Sequence, residues 1–185
     1  SFIDLPLTLM LFSALLIGVL GRFLIGKTYL DRKRAYIFVL GVLISNIALL
    51  IYNHFQNFIP FWDYAGYYRE SLLASKAMYS SLPEFLKSLY NSMLFDDYTK
   101  LPTLFTGPLI HLFSGQYSTY ILICYNIFIV PFLYIMSVTI YKIKPQLTFL
   151  VFLFPPFLNP VLRGYVDSIG LIFVAFWLYV VLNED

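Results

Sequence analysis

The sequence predicts an all-α protein, a polytopic bundle of transmembrane helices with amphipathic juxtamembrane helices in one long exterior loop. Three observations predict it. Hydrophobic residues make up 60% of the 185 positions and charged residues 12%, with a mean hydropathy of +0.78, more apolar surface than a soluble domain of this size can hide. The apolar residues fall in runs near the roughly 20 residues that a helix needs to cross a bilayer core of about 30 Å. The basic residues cluster between these runs, where orientation is set.

Five runs qualify: Leu5 to Ile25, Tyr36 to Tyr52, Tyr117 to Tyr141, Gln146 to Leu162, and Val166 to Leu182. They form a single transmembrane module over residues 1–185. The chain starts with Ser1, and its first run is too long for a signal-peptide core and has no small-residue cleavage site after it. That run is expected to be a retained span, and the chain to be the N-terminal part of a longer enzyme. Pro155, Pro156 and Pro160 interrupt the backbone ladder near the end of the fourth run, which predicts an irregular final turn there.

The stretch from Pro102 to Gly115 is too short to span and suits a re-entrant or surface element, with Gly107-Pro108 marking the bend. Charge supports that reading. The short basic loops, Lys27 to Arg34 and Lys142 to Lys144, both face the cytoplasm if Pro102 to Gly115 does not span. The exterior loop is then Asn53 to Gln116, and the link Arg163 to Asp167 lies on the same side. Within the loop, Phe85, Leu86, Leu89, Tyr90 and Met93 recur at helical spacing, and Ser81-Leu82-Pro83-Glu84 has the pattern of a capping box. This predicts an amphipathic helix lying flat on the outer leaflet.

Several side chains have plain structural readings. Cys124 sits alone in an apolar run, so it is expected to be a small core residue rather than half of an intrachain disulfide. Asn46, Asn126 and Asn159 are expected to hydrogen-bond across helices. His54 and His111 fit interfacial histidines better than ligands. The net charge of +2 is small and has no basic patch, so no nucleic-acid partner is expected. Aromatic residues, at 20%, suit rings held at headgroup level.

The candidate chemistry lies at the ends of runs. Asp63 opens the exterior loop in Phe61-Trp62-Asp63-Tyr64-Ala65-Gly66-Tyr67-Tyr68-Arg69-Glu70, and Asp167 precedes the last run in Gly164-Tyr165-Val166-Asp167-Ser168. Either acid could serve only as a helix N-cap. The orientation drawn from the basic loops nevertheless delivers both carboxylates to one face of the membrane. A carboxylate there can take the proton of an attacking hydroxyl, and a cation can stabilise a departing phosphate. Asp63 is the candidate base. Asp167 would position the acceptor, act as a second carboxylate, or help hold a divalent cation. Arg69, Lys100 and Arg163 are the outward cations for a lipid phosphate, or else snorkelling side chains.

These motifs resemble, in order and spacing over roughly residues 61–182, the N-terminal module of the C-type glycosyltransferases, the superfamily of protein O-mannosyltransferases and the lipid A aminoarabinose transferase. Trp62, Asp63, Tyr67 and Tyr68 match a W-x-D-E-x-x-Y type motif. Lys100-Leu101-Pro102-Thr103-Leu104, through Leu109, Leu112 and Gly115, matches a K-P-P-L juxtamembrane stretch. Val166-Asp167-Ser168 stands where the family has a second acidic motif. Thr99 precedes Lys100 where the family has an acid, and the nearest acids are Asp96 and Asp97.

The resemblance implies an inverting, hexosyltransferase-type enzyme of the plasma (inner) membrane with its active site on the exterior face. It would transfer sugar from a polyprenyl-phosphate donor to a glycan, lipid or protein acceptor, with Asp63 and Asp167 catalytic and Tyr67, Tyr68, Arg69, Lys100 and Arg163 binding substrate. The competing reading is a transporter, or a non-catalytic membrane subunit of a polysaccharide or lipid-linked glycan system. Spans nearly free of ionisable residues weigh against an ion pathway.

Overall fold

A computed structural model describes residues 32–55, 62–96, 100–113, 115–139, 158, 161 and 169–182. Every described element is helical: α1 (Arg32–Phe55), α2 (Trp62–Ser80), α3 (Leu82–Phe95), α4 (Thr103–Leu112), α5 (Tyr117–Cys124), a π-helical turn (Tyr125–Ile129), α6 (Val130–Thr139) and α7 (Ile169–Leu182). The run Leu5 to Ile25 and the loop Lys142 to Lys144 lie outside the described residues, as does the run Gln146 to Leu162 apart from Leu158 and Val161.

Two helices are long and apolar enough to cross a membrane, Tyr36–Phe55 and Tyr117–Ser137. They coincide with the second and third apolar runs. The first begins earlier than its run, because Arg32, Lys33 and Arg34 form the opening turn of α1 rather than a loop. Its surface is divided lengthwise. Phe38, Val42, Asn46 and Leu49 are buried, whereas Tyr36, Leu40, Ile44, Ile47, Ile51 and Phe55 form an exposed apolar stripe, both at the spacing of a helix face.

The second long helix is mostly buried and supplies much of the core. Tyr120, Ile121, Leu122, Ile123, Phe128, Ile129 and Leu133 pack with Phe38 and Val42 of α1 and with Ile110 of α4. It continues from α5 into α6 through the π-helical turn, where Val130 N–H donates to the Tyr125 carbonyl, five residues back. Pro131 follows immediately. A proline has no N–H to offer and its ring crowds the carbonyl four residues earlier, here that of Ile127, so a widened turn relieves the clash without breaking the helix.

α7 packs against α6 and the π-helical turn through Leu171, Ile172 and Tyr179, and leaves Phe173, Val174, Phe176 and Trp177 exposed. Its 14 residues extend about 21 Å at 1.5 Å per residue; residues 166–168 of the run Val166 to Leu182 lie outside the described residues.

Between the two long helices, α2, α3 and α4 form a three-helix unit. α2 and α3 make a hairpin turning at Ser81, whose N–H donates to the Ala77 carbonyl at 2.8 Å. Ser81 has the extended backbone of an N-cap, yet its hydroxyl makes no capping bond, so the expected capping box is not closed. Pro83, in the first turn, removes one of the N–H groups such a hydroxyl would accept from. The apolar stripe of α3 is also divided. Phe85 and Leu89 turn inward with Ser92, while Leu82, Leu86, Tyr90 and Met93 stay exposed. The expected single membrane-facing stripe is therefore corrected: half of it closes the hairpin.

α4 makes its most extensive contact with α2. Contacts advance in the same direction along both helices: Lys100 meets Glu70, Thr106 meets Ser71, Gly107 meets Ala74 and Ser75, and His111 stacks on Tyr79 with ring centroids 3.7 Å apart. Gly107-Pro108 is not the bend expected there, since Pro108 lies inside α4. Gly107 serves close approach instead: a Cβ on it would come within 3.2 Å of the Ser75 backbone nitrogen and 3.3 Å of Ala74 Cβ. At ten residues, α4 is about 15 Å long, too short to cross a bilayer core.

Candidate functional site

The stretch from Asp63 to Glu70 becomes the first two turns of α2, shortly after α1 ends at Phe55. Asp63 lies within the helix rather than at its cap, because α2 begins at Trp62. Negative charge in a first turn is favoured by the helix dipole. Its side chain lies outside the described residues, as do Arg163 and Asp167 entirely, so the expected meeting of Asp63 with Asp167 also falls outside them.

Tyr68 is occupied structurally. Its ring meets those of Tyr117 and Tyr120 with centroids 5.2 and 5.4 Å away, and its hydroxyl donates to the Gly115 carbonyl. Burial raises its pKa above the usual tyrosine range, which keeps the hydroxyl a donor. Tyr68 thus ties α2 to α5 and to the segment leading into it. Tyr67 is half-buried against the same core. Arg69 is exposed.

Lys100 is brought to α2 across 30 positions of sequence. Its ammonium lies 3.4 Å from the Glu70 carboxylate, both side chains partly exposed, and its backbone N–H donates to the buried Ser92 hydroxyl at 2.9 Å. Its carbonyl accepts from the Thr103 hydroxyl at 2.6 Å. The start of α4 is fixed in this way against both helices of the hairpin. Glu70 and Ser92, the partners that hold Lys100, carry no motif signal and were not singled out by the sequence reading.

Beside the ion pair a groove of about 300 Å³ opens between α2, α3 and the start of α4. Its polar lining is Glu70, Ser80, Glu84, Ser88, Lys100 and Thr103; Leu73, Ala77 and Phe85 supply apolar wall. Among the described residues no three of His, Cys, Asp and Glu gather into a cation site; the divalent-cation alternative rests on Asp167, which lies outside them.

Deep in the bundle, Asn46 of α1 and Asn126 of the π-helical turn form a closed pair. Each side-chain amide donates to the other's oxygen, at 3.2 and 2.8 Å. Each also donates to its own helix, Asn46 to the Val42 carbonyl at 3.0 Å and Asn126 to the Leu122 carbonyl at 2.8 Å. Cys124 is buried beside them in sequence as a free thiol. His54 stands edge-on to its neighbour Phe55.

Compared with family models, curated proteins and solved structures, the chain matches none.

Proposed function

We propose that this chain is a polytopic membrane protein and the catalytic module of an inverting glycosyltransferase, which moves a sugar from a polyprenyl-phosphate donor to an acceptor hydroxyl at the outer face. The observation that carries the reading is the placement of the three-helix unit. In sequence it is interposed between two membrane-length helices, and α2, with Asp63 in its first turn, is the next described helix after α1. The exposed apolar stripes of α1 and α7 support the membrane part, since such contiguous surface needs a partner and lipid supplies one.

In the proposed step the acceptor oxygen attacks the anomeric carbon and the bond from that carbon to phosphate oxygen breaks. The electron pair leaves with the polyprenyl phosphate, and the acceptor's proton passes to Asp63. Arg69 and Arg163 are the cations assigned to the phosphate, and Asp167 the second acid. A transporter is less well supported, because neither membrane-length helix carries Asp, Glu, Lys or Arg within Tyr36–Phe55 or Tyr117–Ser137, where an ion relay would need them. The buried polar pair there, Asn46 with Asn126, is satisfied internally.

Asp63→Asn tests the reading, with incorporation of labelled sugar from a polyprenyl-phosphate donor measured in membranes at matched protein levels. Asn keeps the size of Asp and gives up only the favourable interaction of a first-turn charge with the helix dipole, about 0.3–1 kcal/mol, so insertion should survive. Loss of a positioned base should lower transfer by about 10² to 10⁴-fold. Near wild-type transfer removes Asp63 as the base.

A further inference from the structure

The groove beside the Glu70–Lys100 pair has a chemistry that selects its occupant. Glu70 and Glu84 outweigh Lys100, so a net negative charge lines it. Two of its three hydroxyls have already spent their protons on the backbone: Ser80 donates to the Ala77 carbonyl at 3.1 Å and Thr103 to the Lys100 carbonyl. What they offer a ligand is oxygen lone pairs. The Lys100 ammonium, held at Glu70 and still partly exposed, keeps donor capacity for an ether or hydroxyl oxygen. Leu73, Ala77 and Phe85 give the groove an apolar wall. A ligand that fits must present several O–H donors along one edge, an acceptor for Lys100, and an apolar face. A phosphate fits badly, having oxygen acceptors and negative charge only.

Position adds a second constraint. Residues 63, 70, 74 and 77 recur at seven, four and three, the spacing of one face of a helix, so the groove is in register with Asp63 along α2. Seven residues of helix separate Asp63 from Glu70 by about 10 Å. The volume, about 300 Å³, is at the small end for small-molecule sites.

We propose that this groove binds a neutral saccharide as the acceptor of the transfer described above, and that Lys100 serves this acceptor rather than the lipid phosphate. The role as acceptor site rests on the glycosyltransferase reading. The binding does not.

The test uses the full chain in lipid nanodiscs and saturation-transfer NMR with a panel of neutral disaccharides (maltose, cellobiose, lactose), against glucose 6-phosphate. At least one neutral disaccharide should show transfer to its ring protons, and glucose 6-phosphate should bind at least about tenfold more weakly. Two variants block the groove from opposite walls, Ala77→Phe on α2 and Ser88→Trp on the exposed side of α3, so that a folding fault in one leaves the other informative. Each should remove the disaccharide signal. The proposal is overturned if no neutral disaccharide binds, if both variants leave binding intact, or if glucose 6-phosphate binds as well. Because binding is read without turnover, the two readings fail separately: saccharide binding with no transfer by the wild-type chain sinks the transferase reading, and transfer that both blocking variants leave unchanged sinks the groove.

Discussion

Asn46 and Asn126 present a perturbation whose size follows from their geometry. Their four side-chain amide protons and two side-chain oxygens are all engaged, in two bonds between helices and two to carbonyls within them. Replacing Asn46 alone with Leu removes both hydrogen bonds that join Asn126 to α1 in a buried site. Taking away one partner of a buried hydrogen-bonded polar group costs about 1–3 kcal/mol. Asn126→Leu should cost a similar amount for the reciprocal reason. The double variant orphans nothing and brings two aliphatic side chains together, so it should be less damaging than the two single costs added. Interhelical hydrogen bonds in membranes have shown coupling of about 0.6 kcal/mol on average and up to about 1.7. With two such bonds, a coupling of about 1–2 kcal/mol is expected. Reversible unfolding of the four proteins in mixed micelles, followed by circular dichroism, completes the cycle. Additive costs within about 0.3 kcal/mol would show that the amides do not act as a pair and would refute the α1 to π-turn contact.

At the α2–α4 crossing, Gly107→Val should destabilise by about 1–3 kcal/mol through overpacking, because the atoms it meets are backbone nitrogen and Ala74 Cβ; hydrogen exchange should quicken in α4 first. Raising the pH should weaken the protein above about pH 10. Burial raises the folded pKa of Tyr68 from its ordinary 10.0, so its contribution is complete below that value and is lost as pH climbs from it toward the folded value. Tyr68→Phe should flatten this part of a stability–pH curve. For orientation, a cysteine at the exposed Asn91 should react with an impermeant thiol reagent from outside and one at the exposed Lys33 should not; the native Cys124 is buried and gives low background. The reverse pattern overturns the outward assignment of α2 to α4.

Part of the fold could be read from local sequence. The apolar runs Tyr36 to Tyr52 and Tyr117 to Tyr141 anticipate the two membrane-length helices, and the Ser81 to Glu84 pattern marks the start of α3. A hydrogen bond from Asn46 across helices is expected from its polarity in an apolar run, but that its partner is Asn126 is shown only by the structure. The candidate site was less legible. The acid in the α2 turn stands out by its motif, whereas Glu70 as the partner of Lys100 and Ser92 as the anchor of its backbone have no signature, since a contact between distant residues leaves no period in either segment.

By itself, then, the sequence determined what depends on neighbours along the chain: which stretches are helical, which are apolar over membrane length, and where a turn can form. Helix propensity and transfer from water act locally, so composition and spacing carry them. Only the tertiary structure decided which side of each helix is covered. Phe85 and Leu89 were separated from Leu86 and Met93 by the docking of α3 on α2. Gly107 became a crossing point rather than a bend because α2 lies against it, and Lys100 acquired a carboxylate partner. Those outcomes depend on how helices cross, which is set by the fit of whole surfaces and is not written in either helix alone.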